Sequence, residues 1–161
     1  MQRAPKRPAD SATEMVQVVL PNDANPLGYI LGGTVMHLID IVGAIAAHRH
    51  MRSLLVTAAV DGLEFLHPIR VGDLIILRAR VTAAFNTSLE AEVEVFSEET
   101  LTGVRRMTSR AFLTFVATDR AGQRLAIPGL ILETPEEKQR AADADGRRAE
   151  RLRARKELEA R

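Results

Sequence analysis

The chain has no cysteine, no tryptophan and a single tyrosine among its 161 residues. Without thiols there is no disulfide framework, no zinc–thiolate site and no cysteine nucleophile. Aromatic residues make up only 4% while hydrophobic residues reach 46%, so a core has to be built from Val, Leu, Ile, Ala and Met. That apolar fraction excludes global disorder. Charge of one sign is also missing: 22 Lys and Arg stand against 21 Asp and Glu, for a net charge of +1. The balance gives no large field to attract nucleic acid or an anionic membrane, and neither is expected as a partner. No apolar run is long enough to cross a bilayer, since Val35 to Ala47 is short and carries His37 and Asp40. Met1 to Glu14 is polar and lacks the apolar centre of a signal peptide, so a cytoplasmic location is expected.

What is present divides into three parts. Residues 1–13 mix Arg, Lys, Pro, Asp and Ser without periodicity and read as a disordered lead-in. Residues 14–133 hold the pattern of one α+β domain. Glu14 to Leu20 is Val-rich and predicts a strand, stopped by the turn-forming Pro21-Asn-Asp-Ala-Asn-Pro26. A helix is expected from Gly33 or Thr34 to His48–Arg52, with basic residues at its C-terminal end, where they suit the helix dipole. The small Gly43, Ala44, Ala46 and Ala47 imply close packing against a sheet. Strands are then expected over Leu54–Ala59, continuing past a bulge through Gly62–Leu66, and over Leu74–Ala84, Ser88–Ser97 and Val104–Thr118. One helix backed by one antiparallel sheet leaves sheet edges open, and edge-to-edge dimerisation would protect them. Residues 134–161 are rich in Ala, Arg and Glu; Thr134 is a plausible N-cap, and a solvated, fraying helical tail interrupted at Gly146 is expected.

Asp40 is the most informative residue. A helix that is apolar on every side is buried on every side, and a lone carboxylate inside one has to be bonded or left facing a cavity. Upstream stand Asn25-Pro-Leu-Gly28 and the Gly32-Gly33 pair. Alternatives for each are open: a structural acid for Asp40, a turn residue before Pro26 for Asn25, and turn geometry for the glycines. His37 reads as a packed helix residue, and His48 and His50 point to different helix faces, so no metal site is expected.

Leu20-Pro-Asn-Asp-Ala-Asn-Pro-Leu-Gly28 leading into Leu31-Gly-Gly-Thr-Val-Met-His-Leu-Ile-Asp40 resembles the hotdog-fold acyl-CoA thioesterases. The subgroup includes small bacterial enzymes and the brain-type cytosolic hydrolases. Ala47–His50, Val56-Thr-Ala-Ala-Val-Asp61, Phe65-Leu-His-Pro-Ile69, Val71–Asp73, Ala84–Ser88, Thr102–Arg106 and Phe112–Ala117 continue the resemblance in order, from about Met15 to Pro135. It implies a hotdog, an antiparallel sheet curled around one central helix. It also implies a homodimer with a continuous sheet, commonly a trimer of dimers, with active sites at the dimer interface. No cofactor is implied, because CoA is part of substrate and product.

A thioester needs a polarised carbonyl and an activated water. Asp40 is the only acid of the core helix and takes the role of general base or nucleophile. Unpaired N–H groups of Gly32 and Gly33 can hold the oxyanion. Asp40 lies seven residues beyond Gly33, about 10 Å along a helix. One thioester carbon cannot touch both, so base and donors should come from different subunits, and a monomer should be inactive. The resemblance assigns Asn25 to orienting the water or the carbonyl. For the CoA phosphates the candidates are Arg105 and Arg106 with Thr108 and Ser109, and the Asn86-Thr87-Ser88 loop. Two other readings compete. One is a non-catalytic acyl-CoA-binding or regulatory hotdog oligomer. The other is hydroxyacyl dehydration, which wants a well-placed His.

Overall fold

A computed structural model describes residues 3–161; Met1 and Gln2, the start of the expected lead-in, lie outside the described residues. Five strands form one antiparallel sheet: β1 (Thr13–Val18), β2 (Leu54–Phe65), β3 (Leu74–Ala84), β4 (Ser88–Glu98) and β5 (Arg105–Thr118), in the order β1-β3-β4-β5-β2. The 20-residue helix α1 (Gly32–Met51) lies against its inner face. The strict alternation of β4 decides that face: Leu89, Ala91, Val93 and Val95 are all fully buried against the helix side. From α1 come Val35, Leu38, Ile39, Val42, Ala46 and Ala47. Close approach happens where the small residues predicted it, since a Cβ on Gly43 would stand 3.4 Å from the Phe115 ring. This is the α+β layout of one helix and one curled sheet that the sequence implied.

Most strand limits fall within two residues of those expected. The two segments around Gly62 form one strand, β2, with register shifts between Thr57 and Ala59 and between Asp61 and Glu64, and Gly62 at φ +66°. A glycine relieves that left-handed backbone, which a side chain would strain.

Both flanking segments differ from expectation. The described part of the lead-in is ordered rather than loose. Pro8–Ser11 makes a 3-10 turn, Lys6 bridges Leu130, and fully buried Ser11 accepts the Val81 amide at 2.8 Å. The C-terminal segment is a 25-residue helix, α2 (Pro135–Glu159), continuous over its whole length. Thr134 caps it, accepting the Glu137 amide at 3.1 Å, while Glu137 reaches back to the Thr134 amide. Gly146 sits mid-helix without interrupting it. Three arginines on one side explain why. Arg140 meets Glu92 at 3.4 Å, Arg147 meets Glu90 at 2.8 Å and Arg151 meets Asp61 at 2.7 Å. The polar face of β4, which alternation alone would leave to solvent, is thereby covered, and Ala144 on the inner side of α2 is fully buried. Among the described residues no helix is long and apolar enough to cross a membrane.

Candidate active site

The loop before α1 is built by Asn25. Its Oδ1 accepts the amides of Leu27 at 3.0 Å and Tyr29 at 3.1 Å, closing a turn in which Gly28 adopts φ +80°. Both partners are donors, so the oxygen is committed to the turn and the Nδ2 amide is the end left for other work. The turn delivers the chain to Leu31, whose carbonyl accepts Val35 N–H as the first intrahelical bond. The amides of Gly32, Gly33 and Thr34 precede that bond and have no carbonyl of their own helix to meet. A pocket of about 340 Å³ opens beside them, lined by Asn25, Tyr29, Gly32, Phe65, His67 and Ser109 among others. The Phe65 ring packs over Gly32, 3.5 Å from where a Cβ would stand, which is ordinary van der Waals contact.

Asp40 does not reach this pocket. It is half-buried rather than enclosed, on the flank of α1 that faces β2. The Thr57 hydroxyl donates to its Oδ1 at 2.7 Å, and Oδ2 has no partner among the described residues. Thr57 had no assigned role from sequence. It lies in the Val56–Asp61 run, but only the packing of β2 on α1 reveals it as the neighbour of Asp40. Eight residues separate Asp40 from Gly32, about 12 Å of helix. Asn25 and the glycine amides therefore lie at one end of α1, and Asp40 with Thr57 stands apart from them.

The expected phosphate contacts are not brought together. Arg105 and Arg106 are both exposed, and Arg105 pairs with Glu98 at 2.9 Å. Thr108 is buried and its hydroxyl donates to the Val95 carbonyl at 3.2 Å. Thr108 and Ser109 do border the pocket of Asn25. The Asn86-Thr87-Ser88 turn lies at the other end of β5, where the Thr87 carbonyl accepts Ala117 N–H. Some eleven residues of extended strand, about 35 Å, separate it from Arg106, so one bound molecule cannot be held by both within one subunit.

The histidines are dispersed. His37 is exposed on α1, and His48 Nδ1 pairs with the Ser53 carbonyl at 3.0 Å. His50 is fully buried, its Nε2 donating to the Pro128 carbonyl at 2.7 Å with Nδ1 unpartnered. Burial holds its pKa below the ordinary 6.5, so it is the neutral tautomer protonated on Nε2. Among the described residues no three His, Asp or Glu converge as a metal cluster.

One free edge of the sheet is β2. Leu54, Val56, Val60 and Phe65 on the strand, and Leu31 and Met36 beside it, are each 43–54% exposed. An edge strand this apolar is a pairing surface.

Comparison with known proteins gives a consistent picture. The family model described as Thioesterase superfamily matches residues 27–104. An uncharacterized acyl-CoA thioester hydrolase of Bacillus subtilis is 40% identical over 119 residues, which cover 74% of this chain and 69% of that protein. The human cytosolic acyl coenzyme A thioester hydrolase is 34% identical over 85% of this chain, which spans only 37% of that protein's length. Among solved structures, an acyl-CoA hydrolase from Bacillus cereus superposes with a TM-score of 0.92 at 32% identity, covering 97% of this chain and 95% of that one. A hexameric acyl-CoA thioesterase gives 0.89 at 37% identity, covering 93% and 97%. The Staphylococcus aureus acyl-CoA hydrolase, solved with butyryl coenzyme A and coenzyme A, gives 0.85 at 30% identity, covering 97% and 98%. That enzyme has also been solved with single alanine replacements of an asparagine, of an aspartate fifteen residues later, and of a threonine seventeen residues after that. Asn25, Asp40 and Thr57 stand at the same two spacings in this chain.

Proposed function

The chain belongs to the acyl-CoA thioester hydrolases of the thioesterase superfamily, and from that premise we propose that it hydrolyses acyl-CoA to a free acid and CoA at a site shared between two subunits. The observation that carries this reading is the split of the chemistry. The donors and the carboxylate sit on the same helix about 12 Å apart, and both lie along one unpaired apolar edge. Antiparallel pairing of β2 with a second copy would extend the sheet and bring the Leu54 end of one strand beside the Phe65 end of the other. Asp40 of one subunit would then face the partner's donor pocket.

In this mechanism the thioester carbonyl oxygen accepts hydrogen bonds from Asn25 Nδ2 and from the Gly32 and Gly33 amides. These donors meet the negative charge that develops as the tetrahedral intermediate forms. Asn25 acts as a donor because its oxygen is already spent on the turn. Asp40 Oδ2 takes the proton of the attacking water, or attacks the carbonyl itself to give a mixed anhydride that water then hydrolyses; in either route the CoA thiolate leaves and takes up a proton. Thr57 positions Asp40: its hydroxyl fixes Oδ1 and so aims Oδ2. Thr108 and Ser109 contact the chain leading to the thioester. Neither a cofactor nor a metal is needed for these steps.

The assembly proposed is a homodimer through β2, with three such dimers making a hexamer; that a relative is named hexameric supports the count of six. A cytoplasmic location is proposed on the same basis, the human relative being named cytosolic. The test is thiol release from a panel of acyl-CoAs by wild type and Asp40→Ala. Activity in the wild type that is lost in the variant supports the reading. Binding without release at every chain length would instead favour a non-catalytic acyl-CoA-binding protein. Undiminished activity in Asp40→Ala would overturn the mechanism.

A further inference from the structure

Helix α2 is tied to three strands of the sheet, and its last tie reaches the strand that carries Thr57. Arg140 and Arg147 meet Glu92 and Glu90 of β4, and the Arg147 guanidinium lies over the Phe112 ring of β5. The helix then reaches β2, where Arg151 Nη1 donates to Asp61 Oδ2 at 2.7 Å. The Arg151 and Asp61 side chains are 20% and 28% exposed, so solvent screens this pair less than a surface pair. Among the described residues it is the one ion pair that β2 makes. An anchor is needed here more than on other strands. β2 is an edge strand, held within the subunit by β5 alone. Its ladder is broken twice, between Thr57 and Ala59 and between Asp61 and Glu64. Between the two breaks Ala59, Val60 and Asp61 are the residues that pair with β5.

The first break decides where Thr57 points. Side chains alternate along a strand, so Thr57 and Asp61, four residues apart, would share one face of a regular strand. They do not. Thr57 stands opposite Phe115 and faces α1, whereas Asp61 stands opposite Phe112 and faces α2. The extra residue at Ala58 reverses the alternation, as a bulge does when it re-aims the side chains beside it. Loss of that bulge would carry Thr57 away from α1 or Asp61 away from α2. Resting on the catalytic reading of the preceding subsection, we infer that Arg151 is a positioning residue for the reaction. It holds Asp61 on the outer face and so locks the bulge that aims the Thr57 hydroxyl at Asp40. Gly62, next in the chain at φ +66°, gives the strand freedom rather than stiffness, so the lock has to come from outside the strand. The C-terminal helix thus acts on the site without touching substrate.

The test compares intact oligomers of wild type, Arg151→Met and Arg151→Lys, at a concentration where sedimentation shows the same assembly for each. Arg151→Met keeps the aliphatic stem and removes the donor. It should lower kcat for acyl-CoA hydrolysis by about fivefold and change KM by less than about twofold, because the lost hydrogen bond acts through geometry and not through binding. The contact is one N–H to one oxygen, which a lysine ammonium can replace, so Arg151→Lys should return kcat to within about twofold of wild type. Arg155→Met, on the same helix but paired with the exposed Glu159, should leave kcat unchanged. The decisive variant is Arg151→Met in a Thr57→Val background. If Arg151 acts through Thr57, the second change should lower kcat by less than about a further twofold. Hydrogen exchange of the amides of residues 58–63, read without substrate, should quicken by about tenfold in Arg151→Met. Losses that multiply in the double variant, an unchanged kcat in an active enzyme, or an equal loss in Arg155→Met would each overturn the assignment. If the wild type hydrolyses no acyl-CoA, the catalytic reading falls and exchange alone decides the lock: quickened amides keep it, unchanged amides remove it.

Discussion

The contact that holds α2 to the sheet can be tested at one pair. The Glu90 carboxylate is 1% exposed, and it receives Thr82 Oγ1 at 2.7 Å and the Arg147 guanidinium at 3.0 and 2.8 Å. That guanidinium also lies 3.5 Å from the centroid of the Phe112 ring, and the Glu90 carboxylate holds its pKa above the ordinary arginine value. Arg147→Met keeps the aliphatic stem over the ring and leaves Glu90 buried with one hydroxyl for company. Breaking a fully buried pair in this way costs about 3–5 kcal/mol. The Arg147 side chain is 23% exposed and Thr82 remains, so about 3 kcal/mol is expected here. For a domain of this size that corresponds to a fall in Tm of about 6–12 °C. Glu90→Gln/Arg147→Met removes the charge at both ends and should recover about 2 kcal/mol of the loss, a coupling energy that a double-mutant cycle reads directly. The assay is urea unfolding followed by circular dichroism, at one protein concentration because the oligomer adds a mass-action term. A loss below about 1 kcal/mol, as for an exposed ion pair, would refute the clasp and return α2 to a loosely attached helix.

Four further outcomes follow from the same geometry. Asp40→Asn should lower kcat by at least about 100-fold with circular dichroism unchanged. Thr57→Val, which keeps the shape but removes the donor, should lower kcat by about tenfold and leave KM nearly constant; a pure KM effect would place Thr57 in binding instead. Val56→Lys/Val60→Lys should convert the oligomer to smaller species in sedimentation, and thioester hydrolysis should fall with the dimer fraction, because the proposed site is shared between two subunits. The buried His50 predicts a pH dependence of fixed sign. Its folded pKa lies below 6.5, so the unfolded chain binds the proton more readily. Its stabilising contribution is complete above pH 6.5 and is lost as pH falls from there through the folded pKa; thermal melts of wild type and His50→Gln between about pH 7.5 and 5 should converge toward acid.

Periodicity made much of the fold legible in advance. The alternation of Leu89, Ala91, Val93 and Val95 identified the buried face of β4. The small residues around Gly43 anticipated the close contact with Phe115. Asn25, Gly32 and Asp40 were recognisable because a polar side chain, a glycine helix start and a lone acid in an apolar helix are each locally anomalous. Four things were not legible, for a common physical reason. Thr57 is an ordinary strand threonine until β2 packs on α1. Glu90 and Glu92 look like solvent-facing strand residues until Arg140 and Arg147 arrive from a helix about fifty residues away. Arg151 and Asp61 are ninety positions apart and meet only where α2 crosses the outer face of the sheet to β2. The N-terminal segment, without periodicity of its own, is ordered by long-range contacts to Val81, Gly129 and Leu130. Sequence by itself determined what depends on neighbours along the chain: element type, buried face, helix caps and the oddity of Asp40. Tertiary structure alone decided which distant charges are paired and which are left unpaired, because electrostatics acts through space and burial changes its strength. The separation of Asp40 from Gly32 was legible in their spacing, and the tertiary structure adds that they lie on one unbroken helix, with Thr57 beside the acid.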